Sequence, residues 1–248
     1  MRRSTKVVQA ARTIPINFNR GTSTKLLFTL LALVFCFGPL SWIAEAEATY
    51  YWTNKEGSAD NFDWSGGGSE TGLFGSPTIV GGNTFLFFPS NFRAESLDGV
   101  SEITYDKLEF NLAAHSGYTI KGMVIHELGD YGISGTGEVS VSGTMFLTNL
   151  SEWGVYSDNL VSTPSSPITS GSGQWSAEVG VDGLDWTNLN VTLNNNLIAR
   201  SDPGSEAFIE KSVAGVAIEI IIIPEPATIC IVGLGGLMLV RRKKRLQS

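Results

Sequence analysis

The sequence predicts an all-β domain held between two terminal segments of different character, and three observations carry that expectation. Short apolar or β-branched runs recur through the middle of the chain, with no amphipathic helical stretch longer than two turns. Clusters of Gly, Ser, Asn and Asp separate those runs, which is turn chemistry. Charge and hydropathy also change abruptly near residues 48 and 224. The chain therefore divides into 1–48, 49–223 and 224–248.

Residues 1–25 carry Arg2, Arg3, Lys6, Arg12, Arg20 and Lys25 and no acid, and Leu26–Leu40 carries no charge. Ala44-Glu45-Ala46-Glu47-Ala48 follows, with small residues at alternate positions. A basic region, an apolar core and a small-residue cleavage site are the parts of a secretory signal peptide. Cleavage is expected after Ala48, with Ala46 as its small upstream partner, or two residues earlier after Ala46, with Ala44 as the partner. An uncleaved signal anchor is the alternative. Either way the secretory translocon passes residues 49–223 outward while the cations of both termini stay on the cytoplasmic side.

The exported stretch has its own balance of charge. Of the 24 acids only Glu45, Glu47 and Glu225 lie outside it, leaving 21 against Lys55, Arg93, Lys107, Lys121, Arg200 and Lys211. The formal net charge of −7 for the whole chain hides this, because the other cations belong to the termini. Such a surface repels nucleic acid and anionic lipid, so no DNA or RNA partner is expected. It is compatible with solubility, divalent cations and hydrated polysaccharide. Both cysteines, Cys36 and Cys230, fall in the apolar terminal segments, so the domain has no thiol for a disulfide or a Cys-based metal site.

Within 49–223 the strand-sized runs are Thr84–Phe88, Glu102–Phe110, Tyr118–Ile125, Gly137–Leu147, Trp175–Val181, Leu189–Leu193, Ala207–Ile209 and Val213–Ile223. Turns are expected at Gly66-Gly67-Gly68, Gly81-Gly82-Asn83, Asn194-Asn195-Asn196 and Ser201-Asp202-Pro203-Gly204. The longest loop is expected over Ser162–Gly173. Runs at Ile103–Phe110, Tyr118–Ile125 and Val139–Leu147 start roughly 15–20 residues apart, the coil length of a parallel β-solenoid resembling a right-handed β-helix. Against that, the runs share no motif, and an antiparallel β-sandwich accounts for the same strands. The spacing places the solenoid ahead of the sandwich. Tyr51-Trp52-Thr53-Asn54 with Asn61-Phe62-Asp63-Trp64-Ser65 also looks like the leading segment found before solenoids in autotransporter-like surface proteins.

Few groups suggest chemistry. His115 and His126-Glu127 contain the only histidines, and no second His completes a His-Glu-x-x-His pattern. They read as polar residues at strand ends, with zinc ligation by His plus Glu127 or Asp130 as the alternative. The carboxylate pairs Asp60 with Asp63, Glu127 with Asp130 and Asp182 with Asp185 are no more than 21 acids produce by chance, so no catalytic residue is assigned. Asp182-Gly183-Leu184-Asp185 offers oxygen ligands for calcium without the full loop spacing, and no cofactor is otherwise implied. Trp52, Trp64, Trp153, Trp175 and Trp186 are expected to fill the core; stacking on sugars is the alternative.

The C-terminal segment is Pro224-Glu225-Pro226, then Ala227–Val240 without a charge, then Arg241-Arg242-Lys243-Lys244-Arg245. The prolines stop any helix from upstream yet suit the first turn of one that follows. At about 1.5 Å per residue the apolar part spans roughly 21 Å, short for a transmembrane helix across about 30 Å of hydrocarbon, but the terminal cations can snorkel to the headgroups. This breaker, helix and cation order resembles the PEP-CTERM sorting signal of bacterial envelope proteins. The resemblance implies that a membrane-embedded exosortase reads the segment and cuts near Pro224-Glu225-Pro226, releasing or transferring the domain.

The expectation is therefore a non-enzymatic envelope or extracellular-matrix protein, structural or adhesive in exopolysaccharide or biofilm. It would pass through an inner-membrane-anchored precursor on its way to the cell surface. A carbohydrate-binding module is the first alternative and a polysaccharide-acting hydrolase the second.

Overall fold

The computed structural model describes residues 50–225. The signal segment with Ala46 and Ala48, Pro226, the apolar span and Arg241–Arg245 lie outside those residues. Fourteen strands form: β1 (Tyr50–Tyr51), β2 (Gly57–Ser58), β3 (Phe62–Ser69), β4 (Thr78–Val80), β5 (Thr84–Phe87), β6 (Arg93–Leu97), β7 (Glu102–Ala114), β8 (Tyr118–Ser134), β9 (Gly137–Asn149), β10 (Val155–Asn159), β11 (Val161–Thr163), β12 (Ser172–Trp186), β13 (Asn188–Ser201) and β14 (Glu206–Pro224). Among the described residues no helix is long and apolar enough to cross a membrane.

The strands make two open sheets. One runs β1-β3-β7-β13-β9-β10 with β2 on β3, and the other β11-β12-β8-β14-β5-β4 with β6 on β14. The ladders are antiparallel throughout the described residues. One apolar core draws on both sheets, an arrangement consistent with a β-sandwich. The stacked parallel coils of a solenoid do not form. The regular spacing of the runs starting at 103, 118 and 139 arises because β7, β8 and β9 alternate between the two sheets. Their ladder partners, β13 and β14, come from the far end of the chain.

Alternation of burial shows why these segments are strands. In β13 the residues Leu189, Val191, Leu193, Leu197 and Ala199 face the core, while Asn190, Thr192, Asn194 and Asn196 face outward. The expected turn at Asn194-Asn195-Asn196 is therefore mid-strand, and Asn195 takes an inward position with no exposure. Gly66-Gly67-Gly68 is likewise part of β3, at a register shift against β7 between Ser65 and Gly68. The turn at Gly81-Gly82-Asn83 forms as expected, and that expected over Ser201–Gly204 forms at Asp202-Pro203-Gly204, with Ser201 the last residue of β13. The long loop shortens to residues 164–171, because β11 covers its first residues.

The leading aromatics are core. Trp52 packs edge-on against Phe87 at 5.2 Å, and Trp64 against Phe85 at 5.5 Å. Trp64 also donates its indole N–H to the Asn54 carbonyl at 2.9 Å. The buried Asp106 carboxylate organises the loop after β3, accepting backbone N–H bonds from Thr71 and Leu73 at 2.8 Å and Phe74 at 3.3 Å.

Candidate functional site

The C-terminal strand positions the first residues of Pro224-Glu225-Pro226. Ile222 pairs with Ile120, Ile223 with Thr119 and Pro224 with Tyr118, so Pro224 is the last ladder residue of β14. Proline is tolerated there because it has no following ladder bond to donate. The Glu225 N–H then donates to the Gly117 carbonyl at 2.8 Å. On the other flank, β5 stops at Thr84 opposite Glu219, and the Ile220 N–H closes onto the Asn83 carbonyl at 2.9 Å. At that point Glu219 to Ile222 line a shallow depression with Asp60, Asn61, Gly82 and Asn83.

A second feature sits at the β9–β10 hairpin. Trp153, in the turn, is fully exposed at 101% of its reference area. The turn beneath it is braced: Asn149 Oδ1 accepts the N–H groups of Ser151 at 2.9 Å and Glu152 at 3.2 Å. Leu150 N–H donates to the Asn188 carbonyl at 3.0 Å, and Asn188 Nδ2 donates to Ser151 Oγ at 2.9 Å. Leu150 and Asn188 also line a shallow depression with Asp63, Ser65 and Asn111. Next to it, Asn190 Nδ2 bridges Asn111 Oδ1 at 2.9 Å and Glu109 Oε1 at 3.2 Å. Among the described residues the other tryptophans divide as core residues (Trp52, Trp64, Trp175) and a partly buried Trp186 packed against the core.

The structure does not bring the two histidines together. His115 Nε2 pairs with Asp63 Oδ1 at 3.0 Å, and its Nδ1 lies 3.2 Å from the Asp60 carbonyl oxygen. The hydrogen bond to Asp63 raises the His115 pKa, and the same contact lowers that of Asp63. His126 pairs separately with Glu178 at 3.1 Å. His126 and Glu127 lie mid-strand in β8, not at a strand end. Glu127 faces the core while Asp130 faces out and accepts from Ser212, so those two carboxylates do not form a pair. Asp182 and Asp185 flank a register shift in β12, and Asp185 is ion-paired with Lys121. Among the described residues no group of three or more His, Cys, Asp or Glu is gathered for a metal ion.

One cluster escaped the sequence reading. Lys211 of β14 and Glu127 of β8 form an ion pair at 2.5 Å with both side chains fully buried, and Asn195 of β13 donates to the other Glu127 oxygen at 2.7 Å. Burial lowers the Lys211 pKa against the opposing pull of Glu127. The period-two pattern holds the signal for this cluster, since Lys211 shares the inward parity of Ala207 and Ile209.

No protein-family model and no curated protein matches the chain. Among solved structures it is similar to TmCBM61 in complex with β-1,4-galactotriose, at 10% identity and a TM-score of 0.24, covering 72% of this chain and 100% of that one. It is also similar to the Eiger TNF of S. frugiperda, at 12% identity and a TM-score of 0.22, covering 47% of this chain and 68% of that one. At such TM-scores the likeness is too loose to carry a shared fold or function.

Proposed function

We propose that this is an exported, non-catalytic envelope or matrix protein whose β-rich domain is delivered through a C-terminal PEP-CTERM-type signal read by exosortase. The observation that supports the reading is the end of β14. The sorting motif starts on the last ladder residue, with Pro224 extended and Glu225 tied by one backbone bond to Gly117. A protease that takes an extended substrate meets the motif in the required conformation once that single bond opens. Secretion across the inner membrane, transient anchoring there and final display at the surface or in exopolysaccharide belong to the same proposal.

Replacing Pro224-Glu225-Pro226 by three alanines should block trimming in a host that has exosortase and leave the chain membrane-bound. C-terminal peptides read by mass spectrometry check this. Retention of Arg241–Arg245 by the wild type in that host, or equal trimming of the variant, refutes the sorting reading.

A second reading, adhesion to glycan, rests on Trp153. A fully exposed indole offers an apolar face for a sugar ring, and it stands on a braced turn whose Leu150 lines a depression with the polar Asp63, Ser65, Asn111 and Asn188. Trp153→Ala should weaken retention on isolated exopolysaccharide by roughly fivefold, about 1 kcal/mol, without changing the thermal midpoint. Affinity electrophoresis reads the first quantity, and unchanged mobility of the variant removes the glycan role of this turn.

A further inference from the structure

The Lys211, Glu127 and Asn195 cluster is chemically unusual for a core. A buried ion pair is costly to desolvate and often adds nothing to stability over apolar residues of the same volume. Here the cost is compounded, because the buried Asn195 Oδ1 has no hydrogen-bond partner. The site is also closed to bulk solvent. The rings of Phe92, Trp175 and Phe74 stand 5.0, 5.4 and 5.8 Å from Lys211 Nζ. Two glycines nearby leave no room for a side chain: a Cβ on Gly129 would strike the Glu210 carbonyl and the Trp175 ring, and one on Gly143 would strike Leu160 and the Asn194 carbonyl and lie 3.1 Å from the Asn195 amide nitrogen. One carboxylate thus holds an amine on one oxygen and a primary amide on the other, with the amine on one sheet and the amide on the facing sheet.

We propose that these three residues form an intramolecular amide cross-link between Lys211 Nζ and Asn195 Cγ, with Glu127 as the proton carrier. Passing the shared proton from Nζ to Glu127 neutralises both partners, which a site closed to bulk solvent favours. The freed amine is the nucleophile that desolvation of a lysine produces. A half-turn of the Asn195 amide exchanges Oδ1 with Nδ2, and the protonated Glu127 then donates to Oδ1, polarising Cγ. The Nζ lone pair forms the new bond to Cγ. With its own proton passed to Oδ1, Glu127 takes the extra proton from Nζ and delivers it to Nδ2; the Cγ–Nδ2 electron pair leaves with the nitrogen as ammonia, and the Oδ1 proton returns to Glu127 as the carbonyl re-forms, leaving the neutral acid. Amine and primary amide become secondary amide and ammonia, so no oxidant, metal or cofactor enters, and Glu127 is regenerated. The step occurs once per molecule, and its product is a covalent tie between β13 and β14 across the core. It stands independently of the sorting and glycan readings.

The test is tandem mass spectrometry on the full-length chain extracted from bacterial membranes, denatured and digested with trypsin. The expected result is one species joining the peptides that bear Asn195 and Lys211, lighter than the two together by one ammonia and uncut after Lys211. Glu127→Gln should leave the two peptides separate. Lys211→Arg, which keeps a cation for Glu127, should do the same. A wild-type chain with a β-type circular dichroism spectrum that yields both peptides separately at full mass contains only an ion pair and overturns the proposal, however the variants fold. Linkage in Glu127→Gln as complete as in the wild type overturns the assigned role of Glu127.

Discussion

His115 and Asp63 show how much of an exposed contact depends on distant residues meeting. The sequence supplies both groups, but it reads the one as a polar residue at a strand end, with zinc ligation as the alternative, and the other as a chance neighbour of Asp60. In the fold Asp63 pairs with His115, and the Asp60 backbone carbonyl approaches the second ring nitrogen. The hydrogen bond to Asp63 raises His115 above its ordinary 6.5, and the bond to His115 lowers Asp63 below its ordinary 3.8. The histidine term is present in full below 6.5 and is lost as pH rises through the raised folded value. The aspartate term is present above 3.8 and is lost as pH falls through the depressed folded value. Both groups are solvated, so the effect is small and screened by salt. The difference in thermal midpoint between wild type and His115→Gln should therefore peak between 3.8 and 6.5 and fade above that window. A difference independent of pH would show that the ring acts by packing alone. Trp153 illustrates the converse: its residue type was legible as a sugar-stacking candidate, but only the hairpin reveals that it stands in solvent while Trp52, Trp64 and Trp175 do not.

At the level of elements, several strand starts were legible and strand lengths were not: β12 begins at Ser172 ahead of the expected Trp175, and the runs Ala207–Ile209 and Val213–Ile223 are one strand, β14. Tyr118 begins β8 as expected, yet the strand continues past Ile125 to Ser134 through Glu127, Gly129 and Gly132. Those residues interrupt the apolar run because each serves a neighbour across the core or ladder. Gly129 sits in register with Trp175 on one side and Lys211 on the other. A Cβ there would meet the Glu210 carbonyl at 2.0 Å and the Trp175 indole at 2.4 Å, and that indole N–H already donates to Glu210 at 3.1 Å. Gly129→Ala should therefore cost about 3 kcal/mol, the upper end of the usual overpacking penalty. Urea unfolding of the variant checks this, and a midpoint within error of the wild type would mean that β14 yields without loss. The same reasoning explains the Asn194–Asn196 stretch. Three amides in a row are a turn signal by composition, but alternating burial turns Asn194 and Asn196 outward and Asn195 into the core.

For the molecule as a whole, the absence of thiols in residues 50–225 makes a direct prediction. Reductant should leave the thermal midpoint of the β-rich domain unchanged, because Cys36 and Cys230 both fall outside it. A shift on adding dithiothreitol, followed by circular dichroism, would contradict this. The amide cross-link differs in kind, because no reductant breaks it. By the loop-closure argument used for disulfides, tying Asn195 to Lys211 is worth about 3 kcal/mol. The sequence by itself determined that the domain is β-rich, acidic and free of disulfides, and it predicted the division at residues 48 and 224. Those properties follow from composition and from a period of two along a single strand, both local. Only the tertiary structure decided that the strands pair antiparallel in two sheets, since ladders such as β8 with β14 join residues far apart in the chain. For the same reason it alone placed Lys211, Glu127 and Asn195 in one buried site. Parity along a strand says which residues point inward, but not which inward residues of three separate strands will touch.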